Sequence, residues 1–187
     1  VAEVAGALGF DKARVVGGHS GSCVAAELAI HFPSLVASVV LDGCPLLTPQ
    51  LRATFKAMQQ AVRPAPDPSG AHESLVFRTV RTTYEHYLPG FQVTADTLET
   101  LWPAMIDYLE TDFVSSAPIS AEYDLESRIL AIRQPLTVLT ADTDTLVGTF
   151  ERVCALRPDA RRYRFAGHHP LHEPARAAEY AALIDPL

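Results

Sequence analysis

Residues 14–22, "RVVGGHSGS", set a serine, Ser20, among glycines where an apolar run gives way to a helical pattern. A glycine-rich turn between strand and helix either cradles a phosphate on backbone N–H groups or presents a nucleophile. The phosphate reading meets the wrong residues. A phosphate loop needs a lysine just before its Ser or Thr, and the lysines of this chain are Lys12 and Lys56. A dinucleotide turn needs G-x-G-x-x-G, whose second glycine lets the pyrophosphate reach the backbone. Here Gly17 is followed two residues later by His19, and Gly18 by Ser20. Only Asp42, placed where a ribose-binding acid would stand, speaks for that reading.

The nucleophile reading fits better. Gly18-His19-Ser20-Gly21-Ser22 has the form small-x-Ser-x-small, which a sharply folded strand-to-helix turn requires on steric grounds. A serine hydroxyl is a poor nucleophile at neutral pH unless a base takes its proton, normally a histidine oriented by an acid. Later apolar runs end in such groups: "VLTADTDTL" carries Asp142 and Asp144, and "RFAGHHPLHEP" carries His168, His169 and His172. Asp144 is the expected acid, with Asp142 and Asp42 as rivals; His168 is the expected base, with His169 and His172 as rivals. The bland alternative for Ser20 is a helix N-cap, and for His19 a residue that packs or hydrogen-bonds under the site. His19, Trp102 and Met105 are the candidate substrate contacts, and Gly21 N–H is a candidate oxyanion donor.

These groups need elements to carry them. Strands are predicted over 13–17, 36–41, 135–141 and 161–165, and helices over 1–9, 21–32, 146–156 and 172–184. In the helix over 21–32, Val24, Leu28 and Phe32 share one face. Short apolar strands alternating with helices imply an α/β fold: a parallel sheet of about four strands, helices on both faces, and sites at the carboxyl ends of the strands. The interval 45–134 breaks the rhythm. It reads as helices over 49–62, 72–88, 95–113 and 122–133, with a Pro-rich joint at 63–70, and is too helical for a simple crossover. In the 95–113 helix, Leu98, Leu101, Trp102, Met105, Ile106, Leu109 and Phe113 keep to one face, with Pro103 inside. The predicted division is therefore a core of 1–44 and 135–187 and an inserted helical lid of 45–134.

The chain's 187 residues, 48% hydrophobic and 20% charged, suffice for one domain with a core. A net charge of −7 argues against nucleic acid or an anionic membrane as partner, and no apolar run is long enough to span a bilayer. Cys23, Cys44 and Cys154 follow no metal-binding spacing and read as reduced, buried thiols of a cytoplasmic protein. The expected partner is a small-molecule substrate, with no metal and no cofactor.

These motifs, in this order, resemble the α/β-hydrolase family, in particular its lidded esterases, C–C bond hydrolases and cofactor-free haloperoxidases. "RVVGGHSGS" is similar to the family's nucleophile segment and "FPSLVASVVLDG" to the helix end and strand after it. "PLTVLTADTDTL" aligns Asp144 with the acid, and "FAGHHPLHEP" aligns His168 with the base. The resemblance implies a serine hydrolase acting on an apolar ester or related carbonyl compound, with a non-catalytic ligand-binding member of the fold as alternative. The family's first half, including the loop with the second oxyanion donor, has no counterpart here. A truncated member is therefore expected, which alone self-associates through the exposed edge of residues 13–17 and turns over esters weakly.

Overall fold

The structure, a computed structural model, describes residues 1–53, 56, 66–87, 90–110, 122–170 and 173–184. Phe113, His172, most of the 49–62 helix and residues 63–65 of the Pro-rich joint lie outside these residues.

Strands β1 (Ala13–Gly18), β2 (Val36–Asp42), β3 (Leu136–Ala141) and β4 (Arg161–Phe165) form one parallel sheet in the order β1-β2-β3-β4. Around it run α1 (Ala2–Ala7), α2 (Gly21–His31), α5 (Leu125–Ala131), α6 (Phe150–Leu156) and α7 (Ala177–Ile184); α3 (Ala71–Tyr87) and α4 (Ala95–Glu110) come between β2 and α5 in chain order. The alternation of side chains along each strand sorts the core onto two faces. Val39, Leu41, Leu136 and Val138 pack with Ala25, Ala26, Leu28 and Ala29 of α2, with Ile129 of α5 and with Val153 of α6. Val40, Leu139, Ala141 and Phe165 point the other way and meet Tyr180 of α7. Sites at the carboxyl end of such a sheet stand between two packed layers, on a rigid base.

Helix α2 does not bury the face that its larger residues suggest. Val24 and Phe32 are about half exposed, and only Leu28 of that trio is buried. The face against the sheet is built from Ser22, Cys23, Ala25, Ala26, Leu28 and Ala29, mostly small. Small side chains let α2 approach closely: a Cβ added to Gly17 would lie 2.8 Å from that of Ala25. On its outer side, α2 is tied to α5 by Arg128, whose guanidinium donates to both oxygens of Glu27 at 2.6 and 2.7 Å.

The chain divides into two compact units, Val1–Leu47 with Tyr123–Leu187, and Thr48–Glu122. Helix α5, inside the predicted lid interval, thus belongs to the sheet unit, where Leu125 and Ile129 are core residues. In the helical unit, Val76 and Val80 of α3 pack on Leu101 and Met105 of α4. Trp102, Ile106 and Leu109 of α4 stay exposed, so its apolar stripe is half core and half surface. Helix α4 continues through Pro103. Among the described residues, no helix is long and apolar enough to cross a membrane.

Candidate active site

The turn after β1 is centred one residue earlier than the spacing predicts. His19 has φ +47° and is the one non-glycine residue with positive φ among those described. Such a backbone costs about 1–2 kcal/mol at a residue with a side chain and persists only where the surroundings enforce it. They do so here through Gly17, where a Cβ would lie 2.3 Å from Gly21 O and 2.6 Å from its carbonyl carbon. The end of β1 and the start of α2 touch backbone to backbone, so Gly17 and Gly21 flank the apex, and the apex is His19. Gly18 has nothing within 4 Å and is not needed for this contact. Ser22, assigned by its spacing to flank the apex, is buried and donates its hydroxyl to Gly17 O at 2.8 Å, stapling the turn. His19 N–H donates to Asp42 O at 2.8 Å and extends the β1–β2 ladder into the turn.

Ser20 is the N-cap residue of α2, in right-handed helical conformation, exposed, and its hydroxyl caps no backbone N–H. Gly21 follows as the first helical residue. Its N–H is one of the first-turn donors that a helix cannot satisfy internally, which suits it to an anion.

Asp144 sits in the tight turn after β3 and is buried. Its Oδ1 accepts Leu146 N–H at 2.6 Å, and its Oδ2 lies 3.0 Å from His19 Nε2. The carboxylate that the motif alignment pairs with His168 is therefore bonded to His19. Gly43 makes the room. It has φ +58°, and a Cβ there would lie 2.5 Å from His19 Cδ2 and 2.7 Å from Asp144 Oδ2. The hydrogen bond to Asp144 raises the His19 pKa against the opposing effect of burial, with help from the charges of Asp144 and Asp42. Burial works against ionisation of Asp144, but the bonds from His19 and Leu146 N–H outweigh it and hold its carboxyl below the ordinary value.

His168 is half-buried, and its Nδ1 is buried with no hydrogen-bond partner among the described residues. Its loop runs beside that of Asp144: Thr143 N–H donates to Gly167 O at 3.3 Å, and Gly167 N–H donates to Asp142 Oδ2 at 3.0 Å. Asp142, the first rival acid, is exposed and paired with Arg164 at 2.6 Å. Asp42, the second, is buried with its carboxylate on His169 Nε2, 3.0 Å from Oδ1, and on the Tyr180 hydroxyl, 2.8 Å from Oδ2. Tyr180 and the clearance at Gly43 carried no signal that spacing could detect; both matter only once distant segments meet. Trp102 and Met105 lie in the helical unit, on an open cleft of ≈ 830 Å³ that Phe77, Arg78, Ile106 and Leu109 also line. Among the described residues, no group of three or more His, Cys, Asp or Glu is arranged to hold a metal.

No protein-family model and no curated protein matches the chain. Solved structures do. The chain is similar to a hydrolase from Pseudomonas aeruginosa PA01, with TM-score 0.65 and 19% identity over 98% of this chain and 68% of that one. It is similar to a bromoperoxidase from Bacillus anthracis, with TM-score 0.68 and 13% identity over 98% and 70% of the two chains. An esterase from Rhodococcus sp. ECU1013 matches with TM-score 0.66 and 20% identity over 98% and 69%. The chain has the α/β-hydrolase fold.

Proposed function

We propose that this protein hydrolyses a small or medium-sized ester or related carbonyl compound through an acyl-enzyme on Ser20. The observation that carries the reading is the enforced strand-to-helix turn at the carboxyl end of the sheet, with an exposed Ser20 hydroxyl at the helix start. The adjacent loops of Asp144 and His168, joined through Thr143 and Gly167, support the assignment of acid and base. That an esterase shares the fold is consistent with a carbonyl substrate. Ser20 Oγ attacks the carbonyl carbon while His168 accepts the proton, and His168 then returns it to the leaving group. Asp144 holds the imidazole tautomer and the imidazolium that forms. Gly21 N–H faces the developing oxyanion, a contact type worth about 10²–10³ in rate. Water, activated by the same imidazole, releases the acid. Of the candidate substrate contacts, His19 adjoins Ser20 in the chain, while Trp102 and Met105 line the cleft of the helical unit.

The 3.0 Å bond from Asp144 to His19 favours a second reading, in which His19 is the imidazole that Asp144 serves and its Nδ1 does the proton transfer. Turnover of a short p-nitrophenyl ester, with fluorophosphonate labelling, tests both. Ser20→Ala should abolish labelling and nearly all turnover. Under the first reading His168→Gln is equally damaging and His19→Gln is mild; the reverse outcome selects the second. A folded wild-type protein that neither labels nor turns over ester would overturn the hydrolase reading and leave a ligand-binding member of the fold.

A further inference from the structure

Asp42, His169 and Tyr180 form a buried trio that the reaction does not consume. Asp42 ends β2, His169 follows β4 and Tyr180 lies on α7, so three separate elements converge on one carboxylate. Their exposures are 4%, 7% and 6%. His169 Nε2 stands 3.0 Å from Oδ1 and 2.9 Å from Oδ2 of Asp42, and the Tyr180 hydroxyl donates to Oδ2 at 2.8 Å. The His169 ring is packed edge-on between Phe165 and Tyr180, with centroids 5.3 Å from each. A buried polar pair seldom stabilises a fold more than apolar side chains of equal volume would; what it can supply is a defined geometry.

The neighbour of His169 is His168, and the backbone is held at Gly167 and at the His168 carbonyl. Gly167 N–H is bonded to Asp142, Gly167 O accepts from Thr143, and His168 O accepts from Arg176 Nη1 at 2.8 Å. The His168 ring is the exception, since its buried Nδ1 is left without a partner among the described residues. Asp42 also reaches the other half of the site, because its backbone oxygen accepts His19 N–H beside Ser20. One residue thus grips the Ser20 turn through its backbone and the His168 loop through its side chain.

We propose that Asp42, His169 and Tyr180 are positioning residues, a clamp that sets the His168 ring relative to the Ser20 hydroxyl. Being buried, they act through His168 and touch no substrate. The proposal rests on the reading of His168 as base.

The test combines ester kinetics with nitrogen-15 NMR of the histidine rings on the full chain. Tyr180→Phe keeps the ring packing and removes one bond; Asp42→Asn removes the charge. Since a misplacement of about 1 Å can cost about 10²-fold, Asp42→Asn should lower kcat by about tenfold or more and Tyr180→Phe by a few-fold, with KM within about twofold. Fluorophosphonate labelling of Ser20 should slow in step. In the spectra, both variants should move the His168 ring signals as well as those of His169. A folded variant that loses the His169 hydrogen-bond signature yet keeps wild-type kcat, or leaves the His168 signals in place, overturns the clamp. Should Asp42→Asn not fold, Tyr180→Phe decides alone. Should Ser20→Ala retain turnover, the hydrolase reading fails, and the His168 signals still decide whether the clamp exists.

Discussion

Two carboxylate–imidazole pairs stand at the carboxyl end of the same sheet, and their surroundings differ. In one, His19 is 46% exposed on a strained turn while its partner Asp144 is buried. In the other, both His169 and Asp42 are buried, beside Tyr180 and Phe165. The same two functional groups therefore face different tasks. An imidazole half in solvent and held by a buried carboxylate can exchange protons with something that binds. An imidazole enclosed by aromatic rings and bonded to a buried acid holds parts of the molecule in place. The two acids bond different rings in this structure, Asp144 that of His19 and Asp42 that of His169.

The strongest test of this contrast is to neutralise each acid in turn. Asp144→Asn should lower kcat on a p-nitrophenyl ester by about 10³–10⁴, as for an acid that orients a catalytic imidazole. This is far more than the effect expected of Asp42→Asn. Equal losses from the two variants would erase the distinction drawn between the two acids.

Gly43 sharpens the comparison, because the atoms nearest to a Cβ there belong to His19 and Asp144. Gly43→Ala puts a methyl group 2.5 Å from the His19 ring and 2.7 Å from Asp144 Oδ2, at a positive φ. Overpacking of this kind costs about 1–3 kcal/mol, read from denaturant unfolding. The Asp42–His169 signature in the histidine NMR spectrum should survive. A neutral Gly43→Ala would mean that the His19–Asp144 contact is not held tightly.

The smallest effect expected is on the pH dependence of stability. The folded pKa of His19 lies above its ordinary value of 6.5, so its contribution is complete below that value and is lost as pH rises through the raised one. The folded pKa of Asp144 lies below its ordinary 3.8, so its contribution is present above that value and is lost as pH falls through the lowered one. The pair therefore contributes most between these two ordinary values. His19→Gln should lower the melting temperature more at about pH 5.5 than at about pH 8.5. An equal loss at both would show that the ring acts by packing and not by charge.

Much of the scaffold could be read from residue types, for identifiable reasons. Runs such as "VASVVL" and "PLTVLTA" are apolar on both faces, as buried parallel strands must be, and β4 spans the predicted 161–165. The burial of α2 was not legible in the same way. Its apolar periodicity pointed to Val24, Leu28 and Phe32, but helix-to-sheet distance favours the face rich in alanine, and that distance exists only in the folded molecule. The turn shows a related ambiguity. In "GGHSGS" the small residues permit an apex at His19 or at Ser20, and local spacing is the same quality of evidence for both. The choice falls to contacts of Gly17 with Gly21 and Ala25.

The sequence by itself determined the order of the strands, the kinds of group at their ends and the position in the chain where each group appears. Hydrophobic patterning and turn chemistry act over a few residues, so they are written locally. Only the tertiary structure decided which carboxylate meets which imidazole. Asp144 and His19 are separated by 125 residues, and Asp42 and His169 by 127. A carboxylate bonds whichever donor the packing brings within about 3 Å, and no local rule carries that distance.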